Sequence, residues 1–237
     1  ARGPPRPPAG RRWSRARAAV VAEYVSTDGT VSSGLQGEQV LVLAFDLVAD
    51  PVLRGRVSAR LAALVREGGN DLDTGFLSTP HLLDALIDSG DEELAWAVLL
   101  QDTMPSWLYE VEQGATTIWE SWAAVLPDGT VGTMSFNHYS LGAVDDVLFR
   151  RVAGLAPATP GFARVRVAPL TRGPLTWAGA TRETPYGQVR VHWQREESSA
   201  GCTVSYDVTL PAGVTGELVL PDGSLRPLAS GPTRLSV

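Results

Sequence analysis

The sequence predicts an α-then-β chain, with paired helices up to about residue 155 and an antiparallel β-sandwich over residues 156–237. Three observations carry this expectation. Apolar residues recur at helical spacing through the first part, the pattern changes to alternation after Pro157, and Pro and Gly become frequent at the same place.

Residues 1–22 open the chain with Arg2, Arg6, Arg11, Arg12, Arg15 and Arg17 among Pro4, Pro5, Pro7 and Pro8. That composition favours an extended, solvated leader, which joins the rest abruptly near Ala22, as a truncated or misjoined reading frame would. The first helix pattern follows, with Val40, Leu41, Leu43, Ala44, Leu47 and Val48, and it stops before Asp50-Pro51. A second runs from Pro51, a good first-turn residue, through Val57, Leu61, Leu64 and Val65 to Gly68-Gly69. After the loop 70–76, a third helix has Pro80 near its start and Leu82, Leu83, Leu86 and Ile87 on its face, closing at Gly90. Asp91 is the expected cap of a fourth, containing Leu94, Trp96, Val98 and Leu99. Connections this short make the helices antiparallel neighbours, which suggests a helical barrel or solenoid over residues 23–155. A fifth set, Leu141, Val144, Val147, Leu148 and Val152, ends at Gly154. Beyond it, Phe162, Val165 and Val167, then Val189, Val191 and Trp193, then Val204, Tyr206 and Val208, then Leu218 and Leu220 alternate as short strands do.

Composition excludes several classes of function. With 44% hydrophobic and 19% charged residues the chain has material for a packed core and lies outside the disordered regime. A net charge of -6, with the basic residues concentrated at one end, argues against nucleic acid as a partner. The longest apolar run, Val40 to Phe45, is far short of the roughly 20 residues that span a bilayer, so no membrane partner is expected. Arg11-Arg12 resembles an export signal only until Glu23 interrupts the apolar run, leaving the compartment open with a slight lean to the cytoplasm. Cys202, the single cysteine, reads as a small apolar filler in a strand; no metal site or cofactor is called for.

The segment from Trp107 to Trp122 resists a purely structural reading. It holds Trp107, Trp119 and Trp122 together with Glu110, Glu112 and Glu120, and aromatic faces beside carboxylates are what a sugar site needs. Glu120, between two tryptophans, is expected to be shielded from water, which raises a carboxyl pKa and suits it to proton transfer near neutral pH. A solvated or helix-capping glutamate among core aromatics is the plainer alternative. Nothing in the pattern singles out Glu110 or Glu112, and His81 and His192 read as structural histidines.

Asp73-Thr74-Gly75-Phe76-Leu77-Ser78-Thr79-Pro80, then Gln113-Gly114-Ala115-Thr116-Thr117-Ile118-Trp119-Glu120-Ser121-Trp122, then Ser135-Phe136-Asn137-His138-Tyr139, Gly142-Ala143-Val144 and Val152-Ala153-Gly154, resemble bacterial α-L-rhamnosidases of glycoside hydrolase family 78 in order and spacing. The resemblance implies the end of an (α/α)6 barrel followed by a C-terminal β-sandwich, and hydrolysis of terminal α-linked L-rhamnose with inversion. Inversion takes an acid and a base with carboxyls about 6.5–9.5 Å apart. By resemblance Glu120 is the general base and His138 touches the sugar, while Trp107, Trp119 and Trp122 are candidate substrate-binding residues. The expected partner is a rhamnose-containing glycoside or oligosaccharide.

Two departures from the family stand out. Ala123 follows Trp122 where a polar residue is expected. The family's acid motif, Asp, Arg and Glu ahead of a Trp, is absent from these residues, and only about half of the twelve helices that complete a barrel are read. The first expectation is therefore a rhamnosidase portion that carries the base and depends on a missing N-terminal half of the barrel. A non-catalytic carbohydrate-binding or structural module, and an (α/α)6 glycosidase of other specificity, are the alternatives.

Overall fold

A computed structural model describes residues 9–199 and 201–237, with side chains described from residue 13 onward. The chain divides into two compact units, residues 1–143 and 144–237.

In the first unit α1 spans Ala9–Tyr24, α2 Gln36–Ala44, α3 Pro51–Glu67, α4 Thr79–Asp88, α5 Glu92–Leu99 and α6 Trp107–Glu112. The expected extended leader over residues 1–22 is thus helical from Ala9 onward, while residues 1–8 lie outside the described residues. Alanines supply the helix propensity, and Arg17 ties α1 to the turn after α2, donating from Nε to the Leu47 carbonyl and pairing with Asp46.

The long helix α3 shows how sequence sets its limits. Pro51 stands in the first turn, and Asp50 accepts the Leu53 amide at 2.7 Å, so the helix is capped where its first amides lack partners. Val57, Leu61 and Val65, four residues apart on one stripe, are fully buried. Leu82, Leu83 and Leu86 of α4 and Leu94, Trp96 and Val98 of α5 complete the same core. Asp91 stands at the head of α5 but makes no side-chain cap; its carboxylate pairs with Arg66 at 3.0 Å instead. An arginine within reach out-competes a weak local cap.

The second unit begins with the predicted fifth helix. In one continuous run, a 3-10 turn at Ser140–Ala143 at the end of the first unit passes into α7, Val144–Val147, and then a π-helical turn at Leu148–Val152. Gly154 follows with φ +82, and a Cβ there would lie 2.4 Å from the Pro169 nitrogen, so only glycine fits the crossing. The strands are β1 Leu155–Pro157, β2 Arg164–Val167, β3 Trp177–Thr184, β4 Gly187–Ser198, β5 Gly201–Leu210, β6 Thr215–Val219, β7 Leu225–Leu228 and β8 Gly231–Ser236.

Among the described residues they form two four-stranded sheets, ordered β1-β2-β6-β7 and β3-β4-β5-β8. The pairs are antiparallel except β2 with β6, which is parallel. Their shared core holds Leu155, Val165, Val167 and Leu218 of one sheet against Val191, Trp193, Tyr206 and Val208 of the other. Helices followed by a β-sandwich is the fold class the sequence predicts. Cys202 departs from its expected place: it is exposed on β5, not a core filler. Among the described residues, no helix is long and apolar enough to cross a membrane.

Trp193 joins the strands to the segment that precedes them, since its indole nitrogen donates to the Val152 carbonyl at 2.8 Å in a fully buried position. Replacing it with Phe leaves that carbonyl unmatched. Trp193→Phe is expected to lower unfolding free energy by about 1–3 kcal/mol, and Trp193→Ala by about 3–5 kcal/mol, in urea titrations.

Candidate active site

The candidate site is built on the stretch after α6, which holds no long helix or strand until Ser140. Ser106 caps α6 by accepting the Tyr109 amide at 3.0 Å, and the helix ends in a Schellman turn. Gly114, at φ +82, sends its amide to the Val111 carbonyl, and Ala115 sends its amide to the Glu110 carbonyl. The chain is thereby turned back across its own helix.

Residues 117–138 then form a long irregular hairpin. Its tip is the turn at Pro127-Asp128-Gly129-Thr130, where Asp128 accepts the Thr130 amide and the Leu126 amide reaches the Thr130 carbonyl. Val125 bridges Val131 higher up. At the open base, the His138 amide donates to the Ile118 carbonyl at 2.8 Å and the Glu120 amide donates to the Ser135 carbonyl at 2.9 Å. The Glu120 side chain closes the circuit, its Oε2 accepting the Ser135 amide at 2.9 Å. Glu120 and His138 therefore stand on facing arms of one hairpin. Glu120 is not at the end of a helix.

His138 is held between two aromatic rings. Phe76 stacks on it at 4.9 Å with an interplanar angle of 14°, and Tyr139 at 5.3 Å and 9°. Its Nδ1 accepts the Ser140 amide at 3.3 Å, which puts the neutral ring's proton on Nε2, a donor for a hydroxyl oxygen. Phe76 belongs to the loop ahead of α4, so the stack joins two motifs far apart in sequence. Neither Phe76 nor Tyr139 was singled out by sequence reasoning. An aromatic inside each motif was the available signal.

The tryptophans divide differently from expectation. Trp107 is buried, sends its Nε1 proton to the Leu141 carbonyl at 2.9 Å and meets Trp122 edge to face at 5.5 Å. Trp119 is buried as well and meets Phe136 at 5.2 Å. Both act as core aromatics here and offer no open ring face, whereas Trp122 is half-buried. His81 packs against Phe45, and His192 stacks on Trp177. Among the described residues, no group of three or more His, Cys, Asp or Glu is placed to hold a metal ion.

The deeply buried carboxyl of the stretch is Glu110, which the sequence did not single out, and not Glu120, which is half-buried. Glu110 is 2% exposed; its Oε2 accepts the Trp119 amide at 3.2 Å and its Oε1 has no hydrogen-bond partner. Burial pushes its pKa up to about 7, and the single amide from Trp119 opposes that rise only in part.

Two family models match the chain. The bacterial alpha-L-rhamnosidase six-hairpin glycosidase domain covers residues 11–152, and the bacterial alpha-L-rhamnosidase C-terminal domain covers residues 154–231. The chain belongs to the bacterial α-L-rhamnosidase family. The first match begins inside the segment read from sequence as a leader, in keeping with the helix found there. An alpha-L-rhamnosidase of Streptomyces avermitilis is 38% identical over 212 residues, 88% of this chain and 20% of that protein. One from Formosa agariphila is 36% identical over 189 residues, 78% of this chain and 20% of that protein. The chain thus spans about a fifth of the length of these relatives. Among solved structures, the rhamnosidase of Aspergillus terreus superposes with a TM-score of 0.90 at 28% identity, over 96% of this chain and 27% of that one. The Streptomyces avermitilis α-L-rhamnosidase complexed with L-rhamnose gives 0.89 at 33% identity, over 96% and 24%.

Within this α-L-rhamnosidase family chain, Glu110 makes stability depend on pH. Its folded pKa of about 7 lies above the ordinary 4.5, so the folded state holds the proton more tightly. The stabilisation is complete below about pH 4.5 and is lost as pH rises to about 7, with a size of about 3 kcal/mol. Glu110→Gln cannot titrate. The difference in urea midpoint between wild type and Glu110→Gln is expected to shift against the wild type from pH 4.5 to pH 8, and an unchanged difference would refute this assignment.

Proposed function

We propose that the chain supplies the general base, Glu120, of an inverting α-L-rhamnosidase, and that the general acid comes from sequence outside these residues. The observation that carries this reading is the meeting of the first three motifs at the base of one hairpin. Phe76 of the first motif stacks on His138 of the third, and Glu120 of the second is hydrogen-bonded to Ser135 of the third.

The geometry suits a base. Glu120 accepts one amide at Oε2, from Ser135, so Oε1 is left to take a proton from water. That amide fixes the carboxylate's direction, and half-burial leaves room for a water molecule to approach. In inversion the water attacks the anomeric carbon from the face opposite the leaving group: Glu120 takes its proton, a C–O bond forms to the sugar, and the glycosidic oxygen leaves with a proton from the acid. His138, with its proton on Nε2, is a donor to a sugar hydroxyl. The Phe76 and Tyr139 rings hold its plane. The relative solved with L-rhamnose supports the choice of sugar.

Glu120→Gln in the full-length protein keeps the shape and removes the proton acceptor. Its kcat on an aryl α-L-rhamnoside is expected to fall by roughly 10²–10⁴-fold, while the affinity for free rhamnose, measured by calorimetry, stays within a few-fold. A variant that keeps most of its kcat rules Glu120 out as the base.

The 237-residue chain assayed alone tests the second half of the proposal. Without an acid to protonate the leaving oxygen, its turnover on the same substrate is expected to be negligible beside the full-length protein's. Turnover near the full-length rate shows that the acid lies within these residues.

A further inference from the structure

Ten positions before Glu120, the buried Glu110 holds the segment that carries it at two points. Its backbone carbonyl accepts the Ala115 amide, and its side-chain Oε2 accepts the Trp119 amide at 3.2 Å. One residue of α6 thus closes both ends of the turn 115–119, whose last peptide leads directly into Glu120. The Glu120 backbone has one further tether before the hairpin rises, its own amide on the Ser135 carbonyl.

We infer that Glu110 is a positioning residue for the base: its buried carboxyl anchors the Trp119 backbone and so sets where the Glu120 carboxylate stands relative to Ser135 and His138. This rests on the reading of Glu120 as the base.

The placement is informative because a carboxyl is a costly choice for it. An apolar side chain would fill the space under the segment without leaving an oxygen such as Oε1 unpartnered. It would also orphan the amide of Trp119, in a place where Trp119 itself is only 4% exposed. An acceptor at this depth is the only side-chain chemistry that meets the amide. Glu110 is 2% exposed and its carboxyl meets the Trp119 amide, so its effect on the reaction passes through the segment that carries Glu120. Misplacing a reacting group by about 1 Å costs on the order of 10²-fold in rate.

The test compares Glu110→Leu with Glu110→Gln in the full-length protein, reading kcat and KM on an aryl α-L-rhamnoside and hydrogen exchange over residues 115–122. Glu110→Leu removes the acceptor: kcat is expected to drop on the order of 10²-fold with KM within about threefold, and the segment's amides to exchange faster. Glu110→Gln retains an acceptor and is expected to restore both. A structural role alone would lower the amount of folded protein without separating kcat from KM or allowing rescue by Gln. Where Glu110→Leu does not fold, Glu110→Asp, which withdraws the carboxyl by one methylene, is expected to show the same loss. Wild-type kcat in the variant lacking the acceptor, or a Gln variant no better than Leu, overturns the inference. The Glu120→Gln variant assayed in parallel separates the two readings. If it stays active while exchange over 115–122 still follows the Glu110 acceptor, the base assignment fails and the anchor stands only as structure, which also overturns the catalytic positioning proposed here.

Discussion

The candidate site depends on one constraint: a chain that leaves regular structure at Gly114 must still find partners for its backbone amides and carbonyls. Residues 117–138 meet it by folding on themselves. Ile118 accepts from His138, Glu120 exchanges bonds with Ser135, Ala124 accepts from Gly132, and the Asp128-Gly129 turn closes the tip. The facing positions of Glu120 and His138 follow from those bonds. Neither side chain has to be drawn to the other.

The same constraint explains which parts could be read from sequence. Where an element repeats, its period announces it: Val57, Leu61 and Val65 mark α3, and Val189, Val191 and Trp193 mark β4, because each buries one face against a neighbour. Asp50-Pro51 and Gly90 mark helix limits because capping and left-handed backbone restrict residue choice. The hairpin has no period to read. Its partners are set by register between segments some 20 residues apart, and nothing in the local pattern of Ser135 or Ile118 names the other arm. The motif match pointed to Glu120 and His138, but not to how they face one another. The prolines that favoured an extended arm all precede Ala9, and α1 itself has the alanines of a helix former, with Arg17 paired to Asp46.

The tryptophans show a second limit. Trp107, Trp119 and Trp122 are adjacent to the glutamates in sequence, and an indole serves equally well against a sugar face or in a core. Burial distinguishes the two uses, and burial is a property of the whole fold. Trp107 gives its one proton to Leu141 and meets Trp122 edge to face, which is the arrangement of a core aromatic with its polar handle satisfied.

Burial also separates the two carboxylates. A base that activates water needs access to that water, and a carboxylate that anchors a buried amide needs the opposite. One residue cannot satisfy both requirements, because exposing the anchor would let water compete for the Trp119 amide, and burying the base would exclude the water it must deprotonate. On the proposed reading, Glu110 and Glu120 stand on the two sides of this division, one buried beneath the segment and one half-buried at the base of the hairpin. The raised pKa of Glu110 is a consequence of its place, since a buried carboxyl with one amide for company is easier to keep neutral than charged.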